Sequence, residues 1–184
     1  LVITDSQAVR EVAAAVPEDI RLTTFSTLFA RYKGDFAAQL AGAAAIDTLK
    51  DGDRVLIAEG CSHHVTCDDI GRVKIPNWMK KYTGRELKFE WTQGADFPDN
   101  LEDYALVVHC GGCMLNRAEV RRRINECARQ GVKVTNYGIV ISKMQGVLER
   151  VVKGIADAGA TGSVSATGSI SDTGSISDTG EEGD

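Results

Sequence analysis

Val55-Leu56-Ile57-Ala58-Glu59-Gly60-Cys61-Ser62-His63-His64 and Ala105-Leu106-Val107-Val108-His109-Cys110-Gly111-Gly112-Cys113 share one plan: an apolar run of strand length stops at a cluster of soft metal ligands. Short aliphatic runs of this kind read as strands buried on both faces, as in a parallel sheet. If the two runs are neighbours in one sheet, three thiols and up to three imidazoles converge at its edge. Open α/β sheets bind their ligands beyond the carboxyl ends of the strands, and both clusters begin where their strands stop.

The pattern on either side supports such a sheet. Strands at Arg54 to Ala58, Glu86 to Trp91, Leu106 to His109 and Val132 to Asn136 alternate with helical stretches around Trp78 to Tyr82, at Arg117 to Gln130 and at Ile141 to Lys153. Alternation of this kind predicts an α/β fold, a mostly parallel sheet flanked by helices. Upstream, the order reads as strand Val2 to Thr4, helix Gln7 to Ala15 with Asp5 or Ser6 as its cap, short strand Arg21 to Thr24, then helical segments Leu28 to Tyr32 and Phe36 to Leu49. The last of these carries alanines on nearly every side and should pack closely against something.

Thiolates select zinc, copper(I) or iron–sulfur clusters over hard cations. Cys110-Gly111-Gly112-Cys113 lets two thiolates reach one centre, and its glycines permit positive φ and a close approach of N–H groups to sulfur. A dithiol of thioredoxin type is a weaker reading, because nothing flanking it resembles that fold. Two readings stay open on spacing alone. One is structural zinc on Cys61, His63, Cys110 and Cys113; the other is an iron–sulfur cluster held by three cysteines. His64, adjacent to His63, cannot aim at the same metal from a regular strand; it is expected to bond a carboxylate, a carbonyl or water. Cys127 shares a helical face with Val120, Ile124 and Ala128 and reads as core. The helix also carries Arg117, Arg121, Arg122, Arg123 and Arg129, read as a solvated face with Glu119 and Glu126 as intrahelical partners. A docking face for an acidic protein is the second reading. Asn136-Tyr137-Gly138 reads as a turn, with a place lining the metal pocket as its alternative, and Trp78 reads as packing or a subunit contact.

Five cysteines concentrated around one site, with no N-terminal apolar leader, fit a cytoplasmic protein that keeps its thiols. A formal net charge of −5 argues against a nucleic-acid surface, and no apolar run reaches the ~18 residues of a membrane helix. No Gly-x-x-x-x-Gly-Lys-[Ser/Thr] loop is present to cradle nucleotide phosphates, and no nucleophile is paired with a base. The chain therefore reads as a binding module, with no GTP site and no enzymatic activity of its own.

The motifs together carry a resemblance. Val55 to His64, then Asp68-Asp69-Ile70-Gly71-Arg72-Val73-Lys74-Ile75-Pro76, then Val108 to Arg117, and Thr135-Asn136-Tyr137-Gly138 look like the C-terminal part of the HydF family, the GTPase scaffolds that mature FeFe-hydrogenase. The resemblance runs from about Leu1 to Ala156. It implies that Cys61, Cys110 and Cys113 bind a four-iron, four-sulfur (4Fe-4S) cluster whose remaining iron is open or weakly held. Asp68, His63 and His109 are the candidates for the fourth ligand, and Cys67, outside the family pattern, is a thiol able to close the cluster. The family is expected to carry a di-iron precursor of the hydrogenase active centre, the H-cluster. It works with two radical-SAM maturases, delivers to apo FeFe-hydrogenase, and self-associates as a homo-oligomer, dimer or tetramer.

The resemblance divides the chain into residues 1–49, the end of a smaller α/β dimerisation domain, and 50–156, the cluster-binding and tetramerisation domain. Since the chain opens at Leu1 without methionine, part of the first domain is expected to lie upstream. Residues 157–184 follow a six-residue Thr-Gly-Ser-Ile-Ser-Asp period with at most one apolar residue per copy, too few to bury a core, so an unstructured acidic tail is expected.

Overall fold

The computed structural model describes residues 1–61 and 69–159. The elements run β1 (Val2–Thr4), α1 (Val9–Ala15), β2 (Leu22–Thr24), α2 (Phe25–Lys33), α3 (Phe36–Ala44), a 3₁₀ turn (Ala45–Thr48), β3 (Arg54–Ala58), a π-helical turn (Ile70–Lys74), α4 (Ile75–Thr83), β4 (Lys88–Thr92), β5 (Leu106–His109), α5 (Arg117–Arg129), β6 (Lys133–Asn136), α6 (Tyr137–Met144) and α7 (Leu148–Gly159). Strands β1 and β2 pair in parallel, and a second, four-stranded sheet has the order β4-β3-β5-β6, also parallel throughout. The expected α/β architecture is the one found. The apolar runs of β3 and β5 are adjacent, with Ala58 opposite His109.

Side-chain alternation divides the sheet into two faces. Val55, Ile57, Leu106 and Val108 point to the side covered by Ile75 and Met79 of α4, Tyr137, Val140 and Ile141 of α6, and Val151 of α7. Leu56, Ala58 and Val107 point to the other side, against Val120, Ile124 and Cys127 of α5. Helix α3 covers the edge strand β6, and its glycine sets the distance: a Cβ on Gly42 would stand 1.9 Å from the Val134 carbonyl oxygen. Helix α7 does the same for β2, where a Cβ on Gly154 would meet the Leu22 carbonyl oxygen at 2.2 Å. β6 and β2 are thereby protected from pairing with another chain. Arg150 of α7 also donates to the Val16 and Pro17 carbonyls at 2.7 Å, so α7 holds the end of α1.

Several sequence expectations change. The helix read at Ile141 to Lys153 is two helices, because Gly146 adopts φ +75° and turns the chain between them. The first of the two starts four residues earlier, since Asn136 is no turn residue but the N-cap of α6: its side chain accepts from Gly138 N–H at 2.8 Å. The stretch around Trp78 lengthens to Ile75–Thr83, with Pro76 in the first turn, where no N–H is needed. Phe36 to Leu49 ends as a 3₁₀ turn. Neither Asp5 nor Ser6 caps α1; the N-cap position is Ala8, without a side-chain bond, and Asp5 accepts from Gln7 N–H instead.

Helix α5 keeps the predicted face of Val120, Ile124 and Cys127, but Ala128 is exposed and Arg123 is fully buried. Arg123 donates to Glu119 Oε1 at 2.8 Å and to the Gly94 carbonyl at 2.6 Å, with its guanidinium 5.1 Å from the Phe97 ring. It is therefore a tie to the loop after β4, while Arg122 and Arg129 follow the expected pattern in pairing with Glu119 and Glu126. Hydrogen bonds from Arg122 first, then Arg123, hold the Glu119 carboxyl down from 4.5 to about 2. A depressed folded value stabilises fully above the unfolded one and is lost as pH falls through the folded one. Glu119→Gln should flatten the loss of urea resistance between about pH 4.5 and about pH 2 relative to the unsubstituted chain.

Asn136 joins three segments, since it also accepts from Ser26 Oγ at 2.9 Å and is 2 % exposed. Asn136→Ala should cost about 2 kcal/mol, the upper end for a lost N-cap, read from the urea midpoint.

Candidate metal centre

Beyond Ala58 and His109 the two central strands leave the sheet side by side. Cys110 N–H donates to the Ala58 carbonyl at 2.9 Å, extending the ladder by one residue, and Gly60 N–H donates to Cys110 Sγ at 3.1 Å. Gly112, at φ +67°, turns the loop so that its own N–H reaches the same sulfur at 3.3 Å. Gly60 packs closely on Leu115: a Cβ there would lie 2.6 Å from that side chain, which would have to shift.

Cys61, Cys110 and Cys113 border one cavity of about 290 Å³. Its other walls are Phe25, Ser26 and Phe29 of α2, Asp5 and Ser6 from the loop after β1, and Glu59, Ile70 and Tyr137 from the large-sheet unit. Burial raises the Cys110 thiol above its ordinary value, and the neighbouring Cys61 and Cys113 act in the same direction against the two N–H donors.

Behind the thiols lies a buried polar group. Glu59 is 1 % exposed; Tyr137 Oη donates to it at 3.3 Å, Gln93 Nε2 donates at 3.4 Å, and Arg72 Nε stands 3.8 Å away, within ion-pair range only. Burial, then the Glu59 charge, pushes the Tyr137 hydroxyl well above its usual range, so it stays a neutral donor. Gly71 makes room, since a Cβ there would lie 2.2 Å from Tyr137 Oη and 2.5 Å from Glu59 Oε1. Asp69 anchors this segment by accepting from the N–H groups of Gly71 and Arg72 at 2.9 and 2.8 Å.

Of the residues singled out in the sequence, the three cysteines and Tyr137 line the cavity. His109 is placed elsewhere. Alternation along β5 turns it to the α5 face, 1 % exposed, beneath Gly112, and its Nδ1 lies 2.8 Å from the Cys110 carbonyl. A carbonyl only accepts, so this bond requires the Nδ1–H tautomer. Burial pulls the ring's pKa down to about 4. His63, His64, Cys67 and Asp68 lie outside the described residues. Among the described residues, no three His, Cys, Asp or Glu side chains stand as a ready-made site for a metal ion. Glu59 and the α2 wall were not foreseen. Phe25 and Phe29, four apart and so on one helical face, were the hint available in the sequence.

The chain is, by class, an α/β protein with an open parallel sheet and a soft-donor pocket beyond its strand ends. Residues 37–154 match the family model of the hydrogen maturase F tetramerisation domain, and residues 1–34 match that of the hydrogen maturase F dimerisation domain. The first match spans more than half of the 184 residues, and the chain belongs to the HydF family. Both matched parts are oligomerisation domains of a hydrogenase maturase, not catalytic ones. A comparison with curated proteins returns no match. No helix among the described residues is long and apolar enough to cross a membrane.

Proposed function

We propose that this chain is a carrier module of FeFe-hydrogenase maturation. It holds a 4Fe-4S cluster on Cys61, Cys110 and Cys113, keeps a di-iron H-cluster precursor beside it, and hands that unit to apo-hydrogenase. The observation that carries the reading is the joining of three thiols, from the ends of two neighbouring strands, in one cavity of about 290 Å³. The donor chemistry fits as well: soft thiolates, with backbone N–H groups aimed at Cys110 Sγ, are the means by which proteins hold such clusters and tune them.

Bound there, the cluster would supply an iron without a thiolate ligand, open to exchange. The chain's own residues do the rest. Phe25 and Phe29 limit water, while Tyr137 and Glu59 supply a donor and an acceptor at the wall. The implied partners are the radical-SAM maturases and the hydrogenase, met by a cytoplasmic homo-oligomer; Asp68 and His63 are the candidates for the fourth ligand, since His109 is turned to the α5 face, away from the thiols.

Anaerobic reconstitution with iron and sulfide, followed by metal analysis and EPR of the reduced protein, tests the proposal. About four irons per chain, a signal lost in Cys61→Ser and one altered in Asp68→Ala are expected. Stoichiometric zinc without a chromophore would leave a structural zinc module instead.

A further inference from the structure

Lys33, the last residue of α2, reaches across to the loop that carries Cys110 and Cys113. Its Nζ donates to the carbonyls of Leu115 at 2.7 Å, Gly112 at 2.8 Å and Cys113 at 3.3 Å. An ammonium has three donors and no acceptor, so a single loop takes its full capacity. The ammonium also stands 4.8 Å from the Phe29 ring centroid, and Phe29 borders the thiol cavity. The receiving loop joins β5 to α5 without regular structure and turns at Gly112 with φ +67°. Its backbone needs an external anchor to hold one direction.

We infer that Lys33 is the positioning residue of the cysteine loop: its ammonium gathers three loop carbonyls, sets the direction of Cys110 and Cys113, and ties the segment matching the dimerisation domain to the metal pocket. In a trans peptide the N–H lies opposite the C=O. Drawing three carbonyls to Lys33 therefore turns the N–H ends of the same peptide units away from it. The ammonium, 3.3 Å from the Cys113 carbonyl oxygen, also adds a positive charge on the flank of the cysteine loop, which in a reducible centre held there favours the reduced state. The positioning claim stands on the hydrogen bonds; its effect on a cluster rests on the function proposed above.

The test compares the full chain with Lys33→Met, which removes charge and donors, and Lys33→Arg, which keeps both. In the metal-free chain, amide hydrogen exchange over residues 112–116 should quicken in Lys33→Met while the core strands β3 and β5 stay protected, and Lys33→Arg should restore much of the protection. After reconstitution with iron and sulfide, Lys33→Met should lose iron to a chelator ~10-fold faster, the scale of other supporting interactions around metal sites. Its midpoint potential should move negative and its EPR signal should change. Should Lys33→Met fail to fold by circular dichroism, Lys33→Gln, which drops the charge and keeps donors, takes its place in both measurements. Unchanged loop exchange would overturn the positioning role whatever the iron does. Unchanged potential and chelator rate in a chain that binds iron normally would overturn its effect on the centre. Failure of the unsubstituted chain to take up iron would instead sink the carrier reading, with the exchange result still deciding the role of Lys33.

Discussion

Gly42→Ala should destabilise the chain by about 3 kcal/mol, against the direction that helix propensity predicts. In the middle of a helix, alanine is favoured over glycine by ~1 kcal/mol, and on an exposed face the substitution would help. Gly42 lies in α3 on the covered edge of β6, and the new Cβ would stand 1.9 Å from the Val134 carbonyl oxygen and 2.4 Å from its carbon. These are backbone atoms, so no rotamer relieves the overlap. Either α3 lifts off β6 or β6 shifts within the sheet. Forced overpacking costs ~1–3 kcal/mol and occasionally more, and a backbone-on-backbone clash belongs at the high end, outweighing the propensity gain. Urea unfolding followed by circular dichroism measures it; a midpoint equal to or above that of the unsubstituted chain would mean that α3 does not press on β6.

Cys110→Ser should abolish iron uptake and leave the fold intact, while Cys127→Ser should do the reverse. Cys110 is half-buried at the cavity, and its sulfur accepts two backbone N–H groups, from Gly60 and Gly112. A serine hydroxyl can accept those bonds, so the loop survives, but a hard alkoxide is a poor ligand for iron in a sulfide cluster. Reconstituted iron should fall from about four per chain to below about one, with the far-ultraviolet spectrum unchanged. Cys127 is fully buried among Val120, Ile124 and Val134, and burial pushes its thiol up to about 12. It behaves as a small apolar core residue. A serine there leaves a hydroxyl short of partners and should cost ~1–3 kcal/mol, with iron content unaltered. Equal iron loss in both variants would mean that uptake follows stability and not ligation.

The two strands that carry the site were legible because each is a continuous aliphatic run ended by glycine, and Arg54–Ala58 and Leu106–His109 are found with the boundaries read from the sequence. Their adjacency was a condition of the reading, since alternation predicts a parallel sheet but not its strand order; β3 and β5 pair although β4 lies between them in the chain. Helix limits were less legible where a cap decides them: Asn136 and Pro76 moved two starts toward the N-terminus, and Gly146 divided one helix. Arg123 misled because helical periodicity counts charge as exposure, whereas a guanidinium with two hydrogen-bond partners and an aromatic ring beside it tolerates burial.

Local chemistry was what the sequence by itself determined: the strand runs, the soft donors placed where those runs end, the core role of Cys127, and the family to which the motifs point. Period-two alternation and residue type are properties of a few consecutive residues, so a single chain displays them. The tertiary structure decided which of those donors share a cavity. It set Cys110 and His109, neighbours in the chain, on opposite faces of β5, and it brought Phe25, Phe29 and Lys33 of α2 to a loop ~80 residues away in sequence. It also made Gly42 and Gly154 the close contacts that let helices cover β6 and β2. Such partners are chosen by packing between distant segments, where hydrogen-bond satisfaction and the exclusion of overlap act between residues with no local pattern in common.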